Sequence, residues 1–288
     1  NHYMGQSTTK GGSRERLGTK TNPLEVQVSK VALHPWAQGG KSPLDAKQKE
    51  QGFAITKDWR GHNTHFLWYG ALAQGRGDEA LAAARKLAER SAKRDSEFGE
   101  YMRSLPLVTL MRLERWEAVL AEPLPSGERG MAGVWSQHAR GTALARLNRM
   151  AEANAAQALA QAAFDKLRAA HASDSEDDQG TRRFAEAPLA RLRAEVAQAE
   201  RRADAALAEQ AKAVAASKRT DASEPPTTGA GALLALADAQ LALGRAADAE
   251  ASFRADLALR PENGWALRGL ARALAAQGKS ADAAAVRA

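Results

Sequence analysis

The 288-residue chain contains no cysteine. That absence excludes a disulfide framework, an iron–sulfur cluster, a thiolate zinc site and a cysteine nucleophile. No stretch reaches about 18 uninterrupted apolar residues, so no transmembrane helix is expected. The N-terminus has no apolar run behind its charges, which excludes a signal peptide and makes a cytoplasmic location the expectation. Gly-rich phosphate loops, a nucleophile elbow and zinc-protease motifs are missing too, and no Ser, His and Asp stand at triad-like spacings, so the chain is not expected to be an enzyme. Isoleucine occurs once, at Ile55. Because β-branched residues favour strands, this scarcity argues against a sheet.

What replaces them is alanine, 66 residues, half of the 44% hydrophobic content, all but four of them after Arg60. Alanine is the strongest helix former, and the body therefore reads as all-α. Charge divides at the same place. The net charge is +7, and residues 1–60 hold ten Lys or Arg against five Asp or Glu, leaving the rest of the chain at +2. A basic protein suggests nucleic acid as a partner, but a nearly neutral body argues against it.

Residues 1–41 are polar and Gly-rich and read as a loosely held or disordered segment, or as sequence foreign to the body. A basic arm for phosphate or anionic lipid is the functional alternative. Ser42-Pro43 starts a short helix to about Thr56, and residues 42–60 form a connector. From Gly61 the pattern is helix, turn, helix: His62–Gln74, a break at Gly75-Arg76-Gly77, Asp78–Arg94, Ser96–Arg115 with a possible kink at Pro106, then a loop over Pro123–Gly130. Met131–Leu147 and Met150–His171 follow, hinged at Asn148. Ser173–Gly180 reads as an acidic loop, and Phe184–Ala216 as two helices meeting near Arg201-Arg202. Ser223-Glu224-Pro225-Pro226 opens a further loop. The chain starts at Asn1 and stops at Ala288 inside a helical pattern, so a piece of a longer polypeptide is expected.

The last stretch carries a repeat. Gly244 and Gly278 lie 34 residues apart, and Leu233/Leu267, Leu236/Leu270, Ala237/Ala271 and Ala249/Ala283 superpose with them. Small residues at helix crossings, a turn glycine and Pro261 closing the second helix complete the unit. This pattern resembles the tetratricopeptide repeat. His62–Leu67, Glu224-Pro225-Pro226 and Arg260–Leu267 resemble bacterial members of that family. The resemblance covers residues 61–288 and is clearest in 61–94 and 229–288. Thr109 and Ala143, one and two periods after Gly75, fall inside helices rather than turns, so the register slips through 95–225. The resemblance implies an α-α superhelix, a solenoid of antiparallel helix pairs. It further implies that the first helix of each pair lines a concave surface binding a peptide or protein. On those helices the partner-facing positions are Asn63, Tyr69, Gln74, Asp238, Trp265, Arg268 and Arg272.

Three other constellations have chemical readings. His62 and His65 stand three apart at a helix start and can share a metal if His138 or Glu79 joins them, which gives the alternative of a ligand- or metal-binding module or an enzyme-associated accessory domain. The more economical reading is a cap and a packed imidazole, with no cofactor. Asp174, Glu176 and Asp178 alternate like a calcium loop, but Gly180 and Ala185 occupy the wrong places. Arg182, Arg183, Arg191, Arg193, Arg201 and Arg202 suggest a phosphate ridge, yet interleaved Glu186, Glu195, Glu200 and Asp204 favour intrahelical pairs.

Overall fold

The structure, a computed structural model, describes residues 56–127, 129–217, 231–261 and 263–287. Residues 1–41, the short helix expected up to about Thr56, and Ser223–Pro226 lie outside them, wholly or nearly so. Among the described residues there are twelve helices and no strand, as the alanine content predicts. They are α1 (Thr56–Ala73), α2 (Gly77–Arg90), α3 (Glu97–Arg112), α4 (Trp116–Ala121), α5 (Met131–Arg146), α6 (Met150–Ala170), α7 (Glu176–Ala199), α8 (Ala203–Ser217), α9 (Ala232–Ala242), α10 (Ala246–Leu259), α11 (Gly264–Ala276) and α12 (Ser280–Arg287). Each odd-numbered helix packs against the even-numbered one after it, giving six helical hairpins, and neighbouring hairpins pack on one another.

One turn recurs in all six hairpins. Its first residue has positive φ: Gly75 (73°), Glu114 (55°), Asn148 (58°), Arg201 (62°), Gly244 (77°) and Gly278 (75°). The next residue is always basic (Arg76, Arg115, Arg149, Arg202, Arg245, Lys279). Its N–H donates to the carbonyl five residues back, at 2.8–3.0 Å, which satisfies a carbonyl orphaned at the helix end. Five residues after each left-handed position comes a small side chain buried where the helices cross: Ala80, Val119, Ala153, Ala206, Ala249 and Ala283. The 34-residue register fails between Gly75 and Gly244 because successive left-handed positions stand 39, 34, 53 and 43 residues apart, the longest interval holding α6 and α7 at 21 and 24 residues. Thr109 and Ala143 are accordingly helical, within α3 and α5.

Two expected boundaries need correction. Ser173–Gly180 is not a loop throughout, since α7 begins at Glu176 rather than Phe184. The Ser175 side chain accepts the Asp178 N–H at 3.2 Å, and Glu176, Asp177 and Asp178 complement the positive end of the helix. Likewise α2 ends at Arg90, short of Arg94. Arg103 holds the connection there, donating to the Ser91 and Arg94 carbonyls at 2.7 and 2.9 Å.

The core falls into two apolar clusters. The larger runs from Phe66 on α1 to Val196 on α7, and the smaller from Leu234 on α9 to Ala283 on α12. Two buried polar contacts tie the larger cluster together, while Trp135 Nε1 has no hydrogen-bond partner among the described residues. Trp68 Nε1 donates to Thr109 Oγ1 at 2.8 Å. Helix α5 starts after Gly130, which has no side chain to cap it, and the Glu100 carboxylate of α3 takes that role. Only 1% exposed, it accepts the Arg129 and Ala132 N–H groups at 2.6 and 2.9 Å.

Candidate functional site

The odd-numbered helices bring two bands of side chains together. The first is aromatic. His65 of α1 stacks on Trp68 at 5.4 Å and meets Phe98 and Tyr101 of α3 edge-on, each at 6.2 Å. Tyr101 continues to Trp135 of α5 at 5.0 Å and Phe184 of α7 at 4.9 Å. Trp135 in turn lies 5.1 Å from Phe184 and 6.3 Å from His138. These separations suit edge-on and tilted ring packing. Tyr101 and Trp135 are buried, whereas Phe98 is 40% exposed, so the band has a solvent-facing edge.

The second band is cationic and follows from helical spacing. Arg112 stands eleven residues after Tyr101 on α3, and Arg191 seven after Phe184 on α7. Both intervals return to nearly the same helix face. Arg112 feels the charge of Arg191 and, with opposite sign, those of Asp238 of α9, Glu114 and Asp256. Burial first, then Arg191, brings the Arg112 guanidinium down to about 10, opposed by those three carboxylates. Its Nε is buried without a hydrogen-bond partner among the described residues. His138 lies between the bands. Burial, reinforced by Arg191, holds its imidazole well below the ordinary histidine range, so it is neutral. Asp238 keeps contact with solvent, yet partial withdrawal from water raises its carboxyl, against the pull of Arg112, Arg272 and Arg268. Asp256 is fully buried and already engaged, by Arg260 and by Asn263 Nδ2 at 2.8 Å.

Of the positions picked from sequence, Asp238 feels the charges of Arg268 and Arg272 as well as that of Arg112. Trp265 is 37% exposed, with the Arg268 guanidinium 5.6 Å from its ring centroid. Asn63 and Tyr69 are buried, at 7% and 8% exposure. Gln74, just past α1, is exposed and accepts from Arg76 Nε at 2.9 Å. These three are not drawn into the cluster. Sequence reasoning did not select Arg112 or Glu114, and it took His138 only as a third metal ligand and Arg191 only as part of a ridge. Recognising Glu114 as a turn residue would have placed Arg112 at the end of a first helix.

His62 is exposed and His65 only 3% exposed. Burial, with His62 adding to it, pushes the His65 imidazole down to about 3. Among the described residues no three His, Asp or Glu side chains stand where they can share a metal, and Glu79 is paired with Arg76. The arginines of α7 and its end are dispersed among local partners: Arg182 donates to the Ser173 carbonyl at 2.8 Å, Arg183 to Gln179 at 3.2 Å, Arg193 to Gln161, and Arg202 to Glu200 at 2.5 Å. No described helix is long and apolar enough to cross a membrane. No family model matches the chain, and it matches no curated protein and no solved structure.

Proposed function

We propose that the chain is a tetratricopeptide-type α-α superhelix acting as a non-enzymatic scaffold, which binds a peptide or protein in a groove lined by its first helices. The recurring hairpin turn carries this reading. A left-handed residue, a basic residue and a buried small residue five positions on recur in all six hairpins. Identical turns give each pair the same internal crossing, and stacked identical pairs keep their first helices on one side. The aromatic and cationic bands on α3, α5 and α7, with Asp238 on α9 and Arg268 and Arg272 on α11, support a shared binding face.

Selection from a random peptide display library on the immobilised chain tests the proposal. Enriched peptides are expected to lose binding to the Trp265→Ala variant and to an Arg268→Ala/Arg272→Ala variant. They should keep it for Arg254→Ala, whose side chain is paired with Glu250 at 2.9 Å on α10. Peptides indifferent to all three changes, or no enrichment at all, would refute the groove.

A further inference from the structure

One connection between hairpins is held by a titratable side chain bonded on both sides. His171 ends α6. Its Nδ1 lies 2.9 Å from Asp178 Oδ1 in the first turn of α7, and its Nε2 lies 3.1 Å from Oε1 of Glu97, the first residue of α3. Helices α3 and α7 each pack on α5, so the ring reaches from the second hairpin to the junction of the third and fourth. A neutral imidazole has one N–H, and its other nitrogen presents a lone pair. Only the doubly protonated ring donates to both carboxylates. At 20% exposure the side chain exchanges protons with water.

The surrounding groups decide which bond is lost when a proton leaves. Asp178 is seven residues from His171, and Ser173 holds it there through Oγ at 2.6 Å and N–H at 3.1 Å. Arg182 of α7 pins the same connection by donating to the His171 and Ser173 carbonyls. Glu176 and Asp177, beside Asp178, face solvent, and on α6 Arg168 is turned to Asp165 at 3.3 Å. Glu97 is 74 residues from His171 in sequence. Its other partner is Arg129 at 3.2 Å, on the approach to α5, which also grips Asp95 at 2.9 Å. Glu100, one turn further along α3, is taken by the start of α5. The remaining proton therefore stays on Nδ1, and a bare Nε2 faces the Glu97 carboxylate.

We infer that His171 is a proton-operated latch. Charged, it ties the start of α3 to that of α7; neutral, it repels Glu97 and loosens the second hairpin from the third and fourth at that end. The latch holds whether or not the first-helix face binds a peptide. Ser173 and the imidazole keep the Asp178 carboxyl below the ordinary range. Against partial burial, its own backbone N–H, the imidazole and Arg129 do the same for Glu97. Both acids are thus charged at pH 5.5, where the latch is closed, and it opens as pH rises through the imidazole's own value.

A chain without cysteine accepts two spin labels cleanly. Lys93→Cys lies in the connection that Arg103 holds to α3, and Ala215→Cys is exposed near the end of α8. Between pH 5.5 and 8 the population at the short label separation should fall about tenfold, the factor for one charge-assisted hydrogen bond. In His171→Gln, which donates to one acid only, that population should be low at both pH values. In Glu97→Gln it should be high at both, because the amide accepts from the charged ring and donates to the neutral one. Nitrogen shifts of the His171 ring in the unsubstituted chain give a second readout, with Nε2 and not Nδ1 expected to lose its proton; they remain decisive if a variant fails to fold. Equal separations at both pH values in the labelled parent overturn the latch. A pH effect that persists in His171→Gln, or loss of the Nδ1 proton instead, overturns its assignment to the His171–Glu97 contact.

Discussion

Replacing Glu100 with alanine tests whether a side chain of one helix caps another across the fold. Helix α5 begins after Gly130, whose φ is 97° and which offers no cap of its own. The carboxylate accepting the Arg129 and Ala132 N–H groups therefore replaces a local N-cap. Removing it strands the buried Ala132 donor, at a cost of about 1–3 kcal/mol. The Arg129 N–H is partly open to water and adds about 1 kcal/mol. Loss of a negative charge at the positive end of the helix adds up to about 1 kcal/mol more. A total of about 3 kcal/mol is a large part of the roughly 5–15 kcal/mol that holds a domain folded. In urea, with a slope of about 2 kcal/mol per molar, the midpoint should drop by about 1.5 M with the slope unchanged. Glu100→Gln keeps only one of the two acceptors and sets its amide NH2 against the other N–H, so it should lose at least half as much. Amide exchange at Ala132 provides a local readout, with protection falling about a hundredfold in the alanine variant. A midpoint within about 0.3 M of the parent in the Ala variant, or a Gln variant with the parent's midpoint, would refute the cross-helix cap.

Three other changes have definite signs. Arg201→Gly should raise stability by about 0.5–1 kcal/mol in the same titration, because Arg201 holds a φ of 62° that costs an L-residue about 1 kcal/mol or more; a loss would show that its side chain contributes more than the strain. Gly269→Ala should destabilise the smaller core by about 2–3 kcal/mol, since the added carbon would sit 2.2 Å from Phe253 Cζ, a ring with no exposure; a neutral result would mean that the ring moves freely aside. His171 lies between Asp178 at 2.9 Å and Glu97 at 3.1 Å. Against partial burial, which lowers it, these two carboxylates raise its imidazole above the ordinary value. Its stabilising contribution is thus complete below about pH 6.5 and disappears as pH rises through that raised value. Denaturation midpoints at pH 5.5 and 8 should differ in the parent and converge in His171→Gln, and an unchanged difference would assign the pH dependence to other groups.

Local physics was legible in the sequence. Alanine content and helical periodicity gave an all-α chain, and the turns at Gly75, Asn148, Arg201-Arg202, Gly244 and Gly278 were found from their neighbours. Each turn is set by residues within about six positions of it, so its signal is contiguous. The acidic run before α7 was misread because a cap and a first turn have the same composition as a solvated loop. Ser175 makes the difference only once the helix behind it exists.

The site was legible in part. Asp238, Arg268 and Arg272 were selected through repeat position, but Asn63 and Tyr69 from the same argument are buried, because α1 lies against α2 and the aromatic band rather than against α9 and α11. No window of sequence relates Arg112 to Asp238, 126 residues away, or Glu100 to the start of α5. Composition and local spacing by themselves determined the all-α class and five of the six hairpin turns. Which charges meet depends on how successive hairpins pack, and that packing is summed from side-chain volumes at every crossing. Tertiary structure alone therefore decided the cationic cluster and the cross-helix cap.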